Sequence, residues 1–161
     1  MKKENSKIKG NITELETAVA LIRRGCGVCI PYGDRNKYDL VADVDGEFIR
    51  LQCKTSRTKD GGKTFGFSER SSHTKDGVQI NEPYSPSEVD YFATVFNNKC
   101  YLYPVTGACN SDRILRLSEP KQGSNESRIN WAKDYEVDVV LSRIRGKHQR
   151  LNNTKNRISS P

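Results

Sequence analysis

The chain has 161 residues, 34% of them hydrophobic and 29% charged, with a formal charge of +7. That length and balance fit one soluble domain rather than two. No run reaches the length of a membrane-spanning helix, and Met1-Lys2-Lys3-Glu4-Asn5 leads into no apolar stretch, so a cytoplasmic, nucleoid-associated protein without a membrane partner is expected. The positive charge points to a polyanionic partner, nucleic acid before an anionic lipid surface. Five cysteines without a signal segment read as reduced thiols, not as a disulfide framework.

In chain order, Ile12, Leu15, Ala18, Val19 and Ile22 carry the spacing of an amphipathic helix, with Gly25 as its C-terminal stop. Val28 to Tyr32 reads as a short strand ended by Pro31 and Gly33. Cys26 and Cys29 form a C-x-x-C, but on a strand residues three apart point to opposite faces, and no second pair completes a zinc tetrahedron. Tyr38 to Val44 and Glu47 to Thr55 flank Asp45-Gly46, a strong hairpin signal. A two-residue loop fixes the register: Val44 faces Glu47, Leu40 faces Leu51, and Asp39 faces Gln52. Leu40, Ala42, Ile49, Leu51 and Cys53 then share the core face, while Asp39, Arg50, Gln52 and Lys54 share the other.

Residues 56–86 read as a long irregular segment with one strand at Lys63 to Phe67, and such segments more often carry function than not. Val89 to Phe96 and Cys100 to Val105 form a second hairpin, whose Tyr91-Phe92 and Tyr101-Leu102-Tyr103 could be interface or core. Ile114 to Leu117 adds an edge strand, and Ile129 to Val140 fits helix or strand. From Ser142 onward the chain has six basic residues and no acidic ones, which suggests a phosphate-following tail. The expected organisation is one domain over residues 1–141 and a basic C-terminal tail over 142–161.

Asp39 and Gln52, facing each other, should bring their Cβ atoms within about 4.5–5.5 Å, with Lys54 two residues further on the same face. Phosphodiester hydrolysis asks for this trio: an oxygen ligand for a divalent cation, a second oxygen group beside it, and an ammonium against developing charge. A polar hairpin face exposed to water would look the same, so the trio alone does not decide. On the helix, Glu14 and Glu16 flank the apolar stripe on opposite sides, and periodicity does not choose between them.

Asp39, followed across the hairpin by Leu51-Gln52-Cys53-Lys54, resembles the PD-(D/E)xK nuclease superfamily, and more closely its small group I intron-associated (homing) endonucleases, in which Gln takes the second acidic position. The resemblance runs through Gly10-Asn11-Ile12-Thr13-Glu14, Pro31-Tyr32-Gly33-Asp34, Tyr38-Asp39-Leu40-Val41, Gln52-Cys53-Lys54-Thr55 and Trp131-Ala132-Lys133-Asp134-Tyr135. It implies an α/β restriction-endonuclease-like core: a first helix, a central mixed sheet carrying the catalytic hairpin, and flanking helices. It further implies Asp39 as principal metal ligand, Glu14 reaching the same metal, Gln52 in the acidic position, Cys53 lending its backbone carbonyl, and Lys54 acting at the reacting phosphate. Mg2+ would be the cofactor, with Mn2+ as substitute, and no organic cofactor is called for.

Candidate DNA contacts are Arg35 and Lys37 before the site strand, Arg50 on the site face, and Arg57, Lys59, Lys63, Arg70, His73 and Lys75 in the middle segment. Arg143, Arg145, Lys147 and Arg150 complete the set in the tail. His73 and His148 are the only histidines, which leaves little material for a histidine-based nuclease. Trp131 and Tyr135 read as core or interface aromatics. Because one such site cuts one strand, a homo-oligomer, dimer or tetramer, on double-stranded DNA is expected. Two alternatives remain open at this point: a Holliday junction resolvase-like enzyme, which shares the core, and a catalytically weak DNA-binding protein, made thinkable by Gln52.

Overall fold

A computed structural model describes residues 5–33, 35–107, 111–120 and 129–158. Asn5 caps the first helix, α1 (Ser6–Ile22), by accepting from the Lys7 N–H at 3.0 Å. A surface helix ordinarily buries its apolar stripe. Here Thr13, Thr17 and Leu21 are the buried positions, with Ala18 and Ala20 half-buried, while Ile12, Leu15, Val19 and Ile22 face outward. The apolar periodicity therefore located the helix but not its buried side.

Next come β1 (Gly27–Cys29), β2 (Leu40–Val44) and β3 (Glu47–Cys53). Asp45 and Gly46 both take positive φ, 55° and 93°, as a two-residue hairpin turn requires. The ladder has the expected register, Leu40 with Leu51 through Val44 with Glu47. Beyond Leu40 it changes character: the Asp39 N–H donates to the Leu51 carbonyl, and the Asp39 carboxylate accepts the Cys53 N–H. A side chain thus takes over from the ladder at the strand end, which brings the carboxylate in against the backbone.

The middle segment is not the irregular stretch that its polarity suggested. It holds β4 (Arg57–Lys59), a 3-10 turn over Asp60–Gly62, β5 (Thr64–Ser68), β6 (Arg70–Lys75) and β7 (Val78–Pro83). Among the described residues β6 and β7 pair only with each other, across Asp76-Gly77, and so form a two-stranded ribbon. The second predicted hairpin is β8 (Tyr91–Phe96) and β9 (Lys99–Pro104), and β10 (Asp112–Arg116) supplies the edge strand. After a 3-10 turn at Ala132–Tyr135, α2 (Val137–Ile158) closes the described chain.

Among the described residues the main sheet has the order β1-β2-β3-β8-β9, with β3 and β8 parallel and the other neighbours antiparallel. Both helices pack on one face, where Leu21, Ala42, Leu51, Leu102 and Leu141 meet. The sheet β10-β5-β4 covers the other face through Phe65, Phe67, Phe92, Tyr101, Tyr103 and Leu115. Phe92, Tyr101, Leu102 and Tyr103 are therefore core, and the interface alternative for that hairpin falls away.

The division after residue 141 does not coincide with a break in structure. Val137, Val140, Leu141 and Ile144 sit at helical spacing and are all buried, so α2 carries its core contact past that boundary. The basic segment is helix, and Arg145 joins Asp45 at 3.0 Å and the Arg24 carbonyl at 3.0 Å. Asp45 lies at the opposite end of β2 from Asp39, about 20 Å away at roughly 3.3 Å per strand residue. Helix α2 thus docks against the far end of the site hairpin.

Candidate active site

Four elements converge where β2 begins and β3 ends. Asp39 Oδ2 accepts from Gln52 Nε2 at 2.6 Å and from the Cys53 N–H at 2.7 Å. These two donors fix the carboxylate in place, and Gln52 Nε2 also reaches toward the Cys53 carbonyl at 3.4 Å. Burial pushes the Asp39 carboxyl above the usual range, and the bond from Cys53 and the charge of Lys54 pull against that shift.

Lys54, next along the strand, donates from Nζ to the Arg70 carbonyl and to the Tyr84 hydroxyl, each at 3.0 Å, and lies 4.5 Å from the centre of the Tyr84 ring. Burial lowers its pKa to about 8, against the opposing pull of Asp39. The same burial raises Tyr84 to about 12, so its hydroxyl stays protonated. The Cys53 thiol is pushed well up by burial and stays a neutral thiol, leaving the backbone carbonyl as its available oxygen donor.

Helix α1 delivers Glu14 to this group. Its carboxyl is raised first by burial and then by the charge of Asp39, which places the two acids within electrostatic reach of each other. Glu16 lines a groove on the other side of α1 with Lys99, Glu136 and Asp138. The helix therefore turns Glu14 and Glu16 toward different surroundings. Among the described residues no three His, Cys, Asp or Glu side chains gather where they could hold a metal ion; at this site the third polar group is the amide of Gln52.

The basic candidates divide. Arg50 is committed to Asp90, with Nη2–Oδ1 at 2.8 Å and Nε–Oδ2 at 3.0 Å, and also donates to the carbonyls of Pro86 and Ser87. It braces the loop before β8 instead of offering a free cation on the site face. Lys59 pairs with Asp112 at 3.1 Å, Lys37 with Glu82 at 3.5 Å, and Arg143 donates to the Asp134 carbonyl. Arg35, Arg57, Lys63, Lys75, Lys147 and Arg150 are exposed, and Arg70 is half-buried at the start of β6. The side chain of His73, and Asp34 from the quoted motif, lie outside the described residues.

A cleft of about 400 Å3 opens beside Lys54, lined also by Lys9, Ser56 and Arg57. Lys9 was not among the sequence candidates, although it stands on the same helix as Glu14, a little over one turn before it. Tyr84 was missed as well, because nothing local in the sequence links it to Lys54. The ribbon had a signal that was passed over, namely Asp76-Gly77, the same dipeptide that marks the β2–β3 turn.

A mixed sheet with an acidic strand end facing a lysine-bearing strand, and a glutamate brought in from the first helix, is the architecture of restriction-type nucleases. The family model described as PD-(D/E)XK endonuclease matches residues 4–138. This chain belongs to that family and is an endonuclease. Its structure is similar to that of a bacterial homing endonuclease, I-Ssp6803I, with a TM-score of 0.70 and 25% sequence identity, over 91% of this chain and 98% of that one. No curated protein sequence matches it. Among the described residues no helix is long and apolar enough to cross a membrane.

Proposed function

We propose that this protein is a Mg2+-dependent, sequence-specific endonuclease of the homing type that cuts double-stranded DNA as a homo-oligomer, with Mn2+ able to replace Mg2+. The observation that carries this reading is the 2.6 Å contact of Asp39 with Gln52 on the surface that also presents Lys54 and receives Glu14. Two carboxylates, an amide oxygen and a backbone carbonyl are hard oxygen donors, the kind a small divalent cation takes. Glu14 is raised by burial first and by the charge of Asp39 second, and a cation relieves the like-charge part of that shift. Asp39, Glu14, Gln52 and the Cys53 carbonyl would hold the ion, and when bound it supplies Lewis-acid chemistry at a phosphoryl oxygen.

The chain's own groups do the rest. Lys54, drawn down to about 8, can offer its ammonium to the charge that develops on the phosphate or exchange a proton at Nζ near neutral pH. Lys9 and Arg57, in the cleft beside it, attract the backbone of the strand to be cut. The β6–β7 ribbon stands beside the site with polar side chains on both faces, and a two-stranded ribbon fits the major groove of B-DNA. Because one such site cuts one strand, a double-strand break needs a second protomer.

The test is incubation with a plasmid library carrying random inserts, and separately with a four-way junction, each in Mg2+ and in EDTA. Discrete Mg2+-dependent double-strand products on linear duplex are expected. Preferential cleavage of the junction would favour a resolvase, and tight DNA binding without cleavage in either Mg2+ or Mn2+ would overturn the proposal.

A further inference from the structure

Helix α1 presents a row of large apolar side chains to solvent: Ile8 is 51% exposed, Ile12 41%, Leu15 65%, Val19 46% and Ile22 59%. Successive members are four, three, four and three residues apart, which is the spacing of a coiled-coil seam. At about 100° per residue the row lies diametrically opposite Thr13, Thr17 and Leu21, the line that meets the sheet. Leu15 and Val19 also border the groove that α1 forms with Val95, Cys100 and Val137, but the row as a whole lies on the side of the helix turned away from the sheet. It is a second apolar face on the same helix, continuous over about four turns and amounting to roughly 400–500 Å2, the size of the largest apolar patches on monomers, which are often functional.

We infer that α1 is an interface between two copies of this chain, the seam of one protomer packing along the seam of the other about a twofold axis. This deepens the homo-oligomer of the proposed function and rests on that reading for its purpose, while its location is carried by the helix alone. A stripe of this kind is self-complementary, as a twofold contact requires. Two such faces together remove about 1,000 Å2 from water, the size at which specific interfaces begin. Ile12 and Val19 take the first seam position of each heptad, and Ile8, Leu15 and Ile22 the second. A lipid surface is the poorer occupant, because Lys9, Glu16 and Arg23 recur every seven residues along one flank and keep the apolar face narrow. Since Glu14 is the neighbour of Leu15, one helix carries both the interface and a site carboxylate.

The experiment is sedimentation equilibrium of the full chain, without DNA or metal, at concentrations up to about 100 μM, the range in which a micromolar association is complete. Four proteins are compared: wild type, the double variant Leu15→Glu with Val19→Glu, Phe48→Glu at another exposed apolar position, and Lys54→Ala. Wild type, Phe48→Glu and Lys54→Ala are expected to associate alike. The double variant should show its assembly halved, or its dissociation constant raised about 100-fold or more, with unchanged circular dichroism. A monomeric wild type, a double variant that associates normally, or an equal loss in Phe48→Glu would overturn the inference. Absence of cleavage with association intact would count against the nuclease reading alone.

Discussion

Lys54 Nζ and the Tyr84 hydroxyl are hydrogen-bonded at 3.0 Å, and the same ammonium rests 4.5 Å from the centre of the Tyr84 ring. Tyr84 directly follows β7, and the other acceptor of Nζ, the Arg70 carbonyl, opens β6. The site lysine is thus gripped by both feet of the ribbon proposed to read DNA. Tyr84 is a positioning residue: it acts through Lys54. Tyr84→Phe keeps the ring and loses one hydrogen bond to a charged group, worth about 1.5 kcal/mol, or roughly tenfold. The expected result is a fall of that size in kcat with KM nearly unchanged and Tm close to wild type. A variant with lowered Tm and unaltered kcat would assign Tyr84 to stability alone.

The reacting groups themselves should show a steeper effect. Lys54→Ala removes the ammonium, and Asp39→Asn keeps the shape but removes the charge proposed to hold the cation. Each is expected to lower cleavage about 100- to 1,000-fold, as loss of a preorganised charge partner does. DNA affinity should stay within severalfold, since most of the cations proposed to meet phosphates lie elsewhere. Gel-shift and cleavage assays on one preparation check both statements, and loss of binding along with cleavage would remove these residues from the chemical step.

How much of this could be read from sequence depended on whether a local signal existed. The site hairpin was legible because Asp45-Gly46 permits one register, and every pair from Leu40–Leu51 to Val44–Glu47 follows from it. The facing of α1 was not legible, because a period of 3.6 residues marks a stripe without saying whether the core or another chain covers it. The ribbon had its turn marked by Asp76-Gly77, but Arg70 to Lys75 shows no alternation of apolar and polar residues, so that strand carried no signal of its own. Arg50 was correctly placed on the polar face, yet its partner Asp90 is 40 positions away and only the fold brings it there. Helix α2 was not legible because Ile129 to Val140 fitted helix or strand, and the basic residues after Leu141 hid the buried Ile144.

The ribbon and the body of the protein should differ in their response to salt. Lys75 is exposed near the ribbon tip, whereas Lys59 is neutralised by Asp112 at 3.1 Å. A cation that touches a phosphate releases about one counterion, so Lys75→Ala should reduce the slope of log affinity against log salt by about one and weaken all sequences alike. Lys59→Ala should leave that slope in place. Binding titrations across a salt series decide, and equal slopes for wild type and Lys75→Ala would take the ribbon tip off the DNA backbone.

Gln52 gives the sharpest test of how the proposed cation site is balanced. Its Nε2 donates to Asp39 Oδ2 at 2.6 Å, so in Gln52→Glu a hydrogen bond becomes a contact between two carboxylates, near a Glu14 that already feels the charge of Asp39. Without metal the variant must hold an extra proton or suffer repulsion, either of which costs about 1–2 kcal/mol, enough to lower Tm by several degrees in EDTA. With Mg2+ the added negative oxygen should strengthen binding, and stabilisation grows with ligand concentration over dissociation constant. The expected outcome is a crossing: Gln52→Glu less stable than wild type in EDTA, with a larger gain in Tm on adding millimolar Mg2+. If both proteins gained equally, Gln52 would stand outside the cation's coordination sphere and act only by orienting Asp39.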